Sequence, residues 1–268
     1  MIIIGERINA TRKSIAQAIN DGDEAHIAQE ITSQDEANAD YIDLNGGTDG
    51  ADREHERANM AWLIDVALRH TEKKLSLDSS DPEVLASALG HLDGRREVLL
   101  NSVTGEPARL EQTMPLAAKH RCPIIALAMD AEGIPASAER RLAVCAVIAE
   151  AAEAVGVPHE HLFFDPLVLP VCSDVTQVGI TLETLRRIKA RFPQAKTTMG
   201  VSNVSHGLPK RTFINEALLI ASLATGLDSG ICDPTRAGIR RAIALGDLLA
   251  GKDRHCRRYS RQVRKGDI

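Results

Sequence analysis

Eight short apolar runs, each followed by a longer stretch of helical periodicity, predict a ring of parallel strands sheathed in helices: an α/β fold, the (β/α)8 TIM barrel. Two further observations favour the ring over an open, doubly wound sheet. The first turn, Gly5-Glu6-Arg7-Ile8-Asn9, has no G-x-G-x-x-G, and eight strands are more than such a sheet usually carries. A chain of 268 residues also holds one barrel of roughly 250 residues with little to spare.

The units follow one another without interruption. Strand 1–4 precedes helical pattern 13–37, strand 41–44 precedes 54–70, and strand 74–77 precedes 82–89. Strands 98–100, 124–127 and 162–164 precede helical patterns 108–120, 138–155 and 182–192. Strand 197–201 precedes 212–225, and strand 227–231 precedes 237–249. Each apolar run is too short for a helix. Helix signals agree: Ser80-Asp81-Pro82-Glu83 offers a cap followed by a first-turn proline, and Gly90, Gly156 and Gly226 stand just after helical patterns. One domain, residues 1–250, is therefore expected, followed by a tail, 251–268. That tail crowds Arg254, Arg257, Arg258, Arg261, Arg264 and Lys265 together, as a solvated, partly ordered end would.

Composition narrows the function. Lys and Arg number 32 against 37 Asp and Glu, a net charge of −5, which lacks the basic footprint of a nucleic-acid binder. With 44% hydrophobic and 26% charged residues the chain is an ordinary globular protein. No apolar run approaches the roughly 18–20 residues that span a bilayer, and the opening MIIIGERINA does not read as a secretion leader, so a cytoplasmic location is expected. Five widely spaced cysteines read as free thiols, and Cys232 as a small buried apolar residue. No metal is expected: no C-x-x-C or H-E-x-x-H occurs, and His159-Glu160-His161 sets its imidazoles two residues apart.

In such a barrel, chemistry sits at the C-terminal strand ends. Just past the apolar runs stand Glu6 and Asn9, Asp43 and Asn45, Asp78, Asn101, Asp130, Asp165, Asn203 and Asp233. A mouth of carboxylates and carboxamides suits either a hard cation or a heterocycle rich in N–H donors. There is no ring of His or Lys, which weakens aldolase, isomerase and metallohydrolase readings, and no G-x-S-x-G elbow, P-loop or Cys paired with a nearby His at nucleophile spacing. A pterin suits the heterocycle reading, because its amino group and ring N–H want carboxylate acceptors while its carbonyl wants an amide donor. Asp43, Asn45 and Asp130 are read equally well as caps of the loops or helices that follow.

Six segments now come together in order: Gly5-Glu6-Arg7-Ile8-Asn9, Tyr41-Ile42-Asp43-Leu44-Asn45, Leu77-Asp78-Ser79, Asn101-Ser102, Phe164-Asp165-Pro166-Leu167 and Gly200-Val201-Ser202-Asn203-Val204-Ser205. On these the chain resembles the pterin-binding methyltransferases. More narrowly, it is similar to the methyltetrahydrofolate:corrinoid/iron-sulfur protein methyltransferases and to the folate domain of cobalamin-dependent methionine synthase. The resemblance runs from residue 1 to about residue 249.

The resemblance implies a methyltransferase that moves a methyl group between N5 of tetrahydrofolate and the cobalt of cobalamin, the corrinoid being carried by a partner protein. It implies that Asp78, Asn101 and Asp165 hydrogen-bond the pterin and that Asn203 lies beside N5 as the catalytic residue. His206 and Arg211 are then placed to contact the folate or its glutamyl tail, although the family often carries an amide where His206 stands. A homodimer is implied as well, and neither nucleic acid nor membrane is an expected partner. The alternatives are a dihydropteroate synthase-like condensing enzyme and a pterin-binding barrel without catalysis. Against the first, the loop Arg7-Ile8-Asn9-Ala10-Thr11-Arg12-Lys13-Ser14 lacks the Asp-Ser-Phe element of those synthases.

Overall fold

The computed structural model describes residues 1–48, 52–266 and 268; residue 267 of the basic tail lies outside the described residues. Eight parallel strands run β1 (Ile2–Asn9), β2 (Tyr41–Asn45), β3 (Lys74–Asp78), β4 (Val98–Val103), β5 (Ile124–Leu127), β6 (Leu162–Asp165), β7 (Lys196–Thr197) and β8 (Ser229–Cys232). Their order in the sheet is β7-β6-β5-β4-β3-β2-β1-β8, so each strand lies beside its predecessor and β8 returns to β1. The ring closes between β7 and β8 through a parallel bridge, Gly200 to Ile231, where the Ile231 N–H donates to the Met199 carbonyl at 2.9 Å. This is the (β/α)8 barrel expected from the alternation of runs.

Alternation along the strands divides the interior into two levels. Tyr41, Leu99, Ile125 and Phe163 form an apolar floor together with Ile4 of β1. Two residues further along β2, β4 and β6 stand Asp43, Asn101 and Asp165, because side chains repeat on one face of a strand every second residue. The outward-facing residues, such as Ile42, Leu44, Leu100 and Phe164, join the large core beneath the helices. The helices are α1 (Lys13–Asp21), α2 (Glu24–Glu36), α3 (Arg53–His70), α4 (Pro82–Leu92), α5 (Pro107–His120), α6 (Ala138–Ala154), α7 (Gln177–Arg191), α8 (Arg211–Thr225), α9 (Ala237–Leu249) and α10 (Arg257–Lys265).

Several boundaries differ from the sequence pattern. The helix expected over 13–37 is two, because Gly22 takes a left-handed φ of 65° and Asp23 then caps α2 by accepting the His26 N–H at 3.1 Å. Gly90 does not end α4, which runs on to Leu92 and stops where Asp93 turns left-handed at φ 47°. The strand expected over 197–201 is only Lys196–Thr197; Val201–Ser205 winds instead into a 3-10 turn. In the tail, both carboxylate oxygens of Asp253 accept the first N–H groups of α10, from Arg258 at 3.0 Å and Tyr259 at 2.9 Å. Among the described residues no helix is long and apolar enough to cross a membrane.

Candidate active site

The ladder between β3 and β4 puts Asp78 directly opposite Asn101, and that between β5 and β6 puts Asp165 opposite Leu127 at the same end of the barrel. Asn101 Nδ2 donates to Asp43 Oδ1 at 3.3 Å, and Asn45 Nδ2 donates to Asp78 Oδ2 at 3.0 Å. Two carboxylates and two carboxamides from three adjacent strands thus form two hydrogen-bonded pairs side by side, coupled by the charges of Asp43 and Asp78. Burial pushes the Asp43 carboxyl well above its usual range, with the Asp78 charge adding to the effect and the Asn101 hydrogen bond opposing it. Burial also raises Asp78 to about 6, against the Asn45 hydrogen bond and together with the Glu56 charge.

Asp165 stands apart from these pairs, only 6% exposed. Its Oδ1 accepts the Leu167 N–H at 2.7 Å. Burial raises its carboxyl to about 7, while the N–H groups of Leu167 and Gly200 and the charge of Arg141 pull the other way. At neutral pH the mouth therefore holds carboxyl groups poised between acid and carboxylate. A ligand that brings N–H donors recovers the solvation these groups lose on burial.

Asn203 lies in the 3-10 turn after β7, with its side chain exposed. The turn is anchored from several directions. Ser202 Oγ donates to Glu6 Oε1 at 2.7 Å, joining the turn to β1. Arg211, the first residue of α8, donates through Nε to Ser205 Oγ at 3.0 Å and through Nη2 to the Ser202 carbonyl at 2.8 Å. Gly200 leaves room for the Asn203 amide: a Cβ there would meet Asn203 Nδ2 at 2.9 Å. Burial raises the Glu6 carboxyl, the Ser202 hydrogen bond lowers it, and the Asp233 charge raises it further.

Of the residues singled out in the sequence, Asp78 pairs with Asn45 and Asn101 with Asp43, whereas Asp165 meets backbone N–H groups. His206 is exposed, and its carbonyl accepts from Cys172 Sγ at 3.1 Å. The Arg211 guanidinium is engaged on the Asn203 turn itself. Asp130 closes its own loop, accepting the Glu132 N–H at 2.9 Å. Among the described residues no group of three or more His, Cys, Asp or Glu side chains is arranged to hold a metal ion. One buried charged residue near the site escaped the sequence reading: Arg141 of α6, fully buried, whose charge bears on Asp165. The available signal was helical spacing, since Arg141 shares a face with Val144, Cys145 and Ile148, all buried.

Comparison with known proteins places this geometry. The family model described as pterin binding enzyme matches residues 5–233, from within the first strand to just past the last. The chain belongs to the pterin-binding enzyme family. It is 32% identical over 270 residues to the methylcorrinoid:tetrahydrofolate methyltransferase of Eubacterium limosum, covering 100% of this chain and 98% of that relative. It is also 30% identical over 247 residues to methionine synthase of Mycobacterium tuberculosis, covering 86% of this chain but only 20% of that longer protein. Among solved structures, a Yersinia pestis DHPS with a pterine-sulfa conjugate superposes with a TM-score of 0.70 at 17% identity, covering 94% of this chain and 93% of the other. The dihydropteroate synthase of Coxiella burnetii with pteroic acid gives 0.64 at 14% identity, covering 92% and 94%. At such identities these two likenesses concern the fold alone.

Proposed function

We propose that this pterin-binding enzyme transfers a methyl group between N5 of tetrahydrofolate and the cobalt of a corrinoid carried by a partner protein. The observation that carries the proposal is the convergence of Asp78, Asn101 and Asp165 at one barrel mouth with the anchored Asn203 turn beside them, in a chain alignable from end to end with a methylcorrinoid:tetrahydrofolate methyltransferase. The two aspartates accept from the amino group and ring N–H of the pterin, and the Asn101 amide donates to its carbonyl. Methyltetrahydrofolate or tetrahydrofolate is the substrate in either direction, since one pocket serves both.

The difficulty of the reaction lies at N5, which leaves as a poor anion unless a proton or a strong hydrogen bond stabilises it. The neutral Asn203 amide is no general acid, but its NH₂ donates to N5 as charge develops there, and the proton comes from water. The corrinoid, when bound, supplies a cobalt centre strong enough to take or give the methyl group. This chain then contributes binding, orientation and that one hydrogen bond. His206 and Arg211 lie beyond Asn203, toward the glutamyl tail. The proposal includes a cytoplasmic location, consistent with five free thiols, and a homodimer joined through the outer helices so that the mouth stays open to the corrinoid protein. The pterin-binding barrel is taken as residues 1–250, and the basic tail, 251–268, folds back on it through Arg258 and Asp247.

The test is direct. The protein is mixed with methylcobalamin and tetrahydrofolate, and separately with reduced cobalamin and methyltetrahydrofolate, and the corrinoid spectrum is followed. Conversion in either mixture is expected, and an unchanged spectrum in both removes the proposal. Light scattering checks the dimer, which a monomeric mass at every concentration would exclude.

A further inference from the structure

We propose that Arg141 is a positioning residue for the folate site, fastening the loop after β6 so that Asp165 presents its carboxylate to the pterin and supplying the positive charge that faces it. The inference rests on the reading of Asp165 as a pterin ligand and goes beyond it.

The Arg141 guanidinium is 0% exposed, yet among the described residues it forms no ion pair within 4.0 Å. Its donors go to backbone and amide oxygens. Nε donates to the Pro135 carbonyl at 2.9 Å, Nη1 to the carbonyls of Pro166 at 2.9 Å and Leu167 at 3.0 Å, and Nη2 to Gln177 Oε1 at 2.9 Å. One side chain thereby joins the loop before α6, the loop after β6 and the start of α7. A buried charge is costly, and apolar packing would hold three segments together at less expense. The charge therefore calls for a role that packing cannot fill.

That role is visible at Leu167. Its backbone is left-handed, φ 65°, a region that branched L residues rarely occupy. Its N–H points at Asp165 Oδ1, 2.7 Å away, and its carbonyl is held by Arg141 and by Thr181 Oγ1 at 2.8 Å. Fixing the carbonyl fixes the residue, and so keeps its N–H on the carboxylate. Two charged or titratable groups bear on Asp165, Arg141 and Cys145, both on α6. Burial pushes the Cys145 thiol up, so it stays neutral and Arg141 alone offers a compensating charge. Without it, the burial of Asp165 would favour the protonated acid, which accepts poorly from a pterin N–H.

The experiment follows methyltetrahydrofolate binding by calorimetry from about pH 5 to about pH 9 in the wild type, Arg141→Met and Arg141→Lys. Wild-type affinity is expected to rise with pH as Asp165 ionises. In Arg141→Met the midpoint of that rise should move upward, because the opposing charge is gone. Arg141→Lys keeps the charge but cannot bond all the oxygens, so its midpoint should stay in place while affinity at the alkaline end falls about tenfold. The same midpoints are read without folate from the infrared carboxyl band of Asp165, assigned by its loss in Asp165→Asn. An Arg141→Met midpoint equal to that of the wild type overturns the proposal, as does wild-type affinity in Arg141→Lys, which also decides the matter if Arg141→Met does not fold. Absence of folate binding by the wild type instead removes the functional reading, and the infrared midpoints then decide the effect of Arg141 on Asp165 separately.

Discussion

Asn101 Nδ2 reaches Asp43 Oδ1 across 3.3 Å, so a side chain proposed to face the pterin is held from behind by a carboxyl group only 2% exposed. Asp43 therefore orients the Asn101 amide, leaving its remaining N–H for a ligand carbonyl. The position that reads in the sequence equally well as a loop cap or a mouth residue is, in the barrel, the support of its neighbour.

Removing one pterin acceptor should cost binding. In Asp165→Ala a pterin N–H is buried without a partner, which costs roughly 1–3 kcal/mol of affinity. Calorimetry with methyltetrahydrofolate measures it, and an unchanged dissociation constant would show that Asp165 does not touch the ring.

Asn203→Ala separates catalysis from binding. A hydrogen bond that strengthens as N5 takes up the electron pair of the breaking N–CH₃ bond acts on the rate more than on affinity. Loss of one such donor lowers the single-turnover methyl-transfer rate by about 10²–10³-fold at saturating folate. A normal rate would mean that another residue serves N5.

Gly200→Ala tests the setting of that amide. The added methyl group would lie 2.9 Å from Asn203 Nδ2, so the amide must move. If the amide is moved off N5, the rate is expected to fall by about ten- to a hundredfold with the fold retained. A full-rate variant with an unchanged melting temperature would show that the amide has room to adjust.

The buried carboxyl groups also predict how stability depends on pH without ligand. Asp165 is raised to about 7 and Asp78 to about 6, whereas both titrate near 3.8 in the unfolded chain. Between those values the native state holds more protons than the unfolded state, so stability falls as pH rises from about 4 to about 7 and then levels off. Asp165→Asn removes that penalty. It should raise the melting temperature relative to wild type at about pH 8 and leave it nearly unchanged at about pH 4. Equal shifts at both pH values would show that Asp165 ionises normally in the folded protein.

The eight β-α units and the level of the barrel at which the polar residues gather were legible in the sequence, because both depend on neighbours a few positions apart. A strand places its side chains alternately, so a polar residue two beyond an inward apolar one shares its face and stands nearer the mouth, as Asp43 does above Tyr41 and Asp165 above Phe163. Tertiary structure decided what those residues meet. Glu6 accepts from Ser202 only because ring closure brings together residues 196 apart in sequence. Arg141 reaches Leu167 and Gln177 only because α6 packs against α7 and the loop after β6. The raised carboxyl groups follow from the same cause, since desolvation is set by everything that surrounds a side chain, whereas periodicity is set by the chain alone.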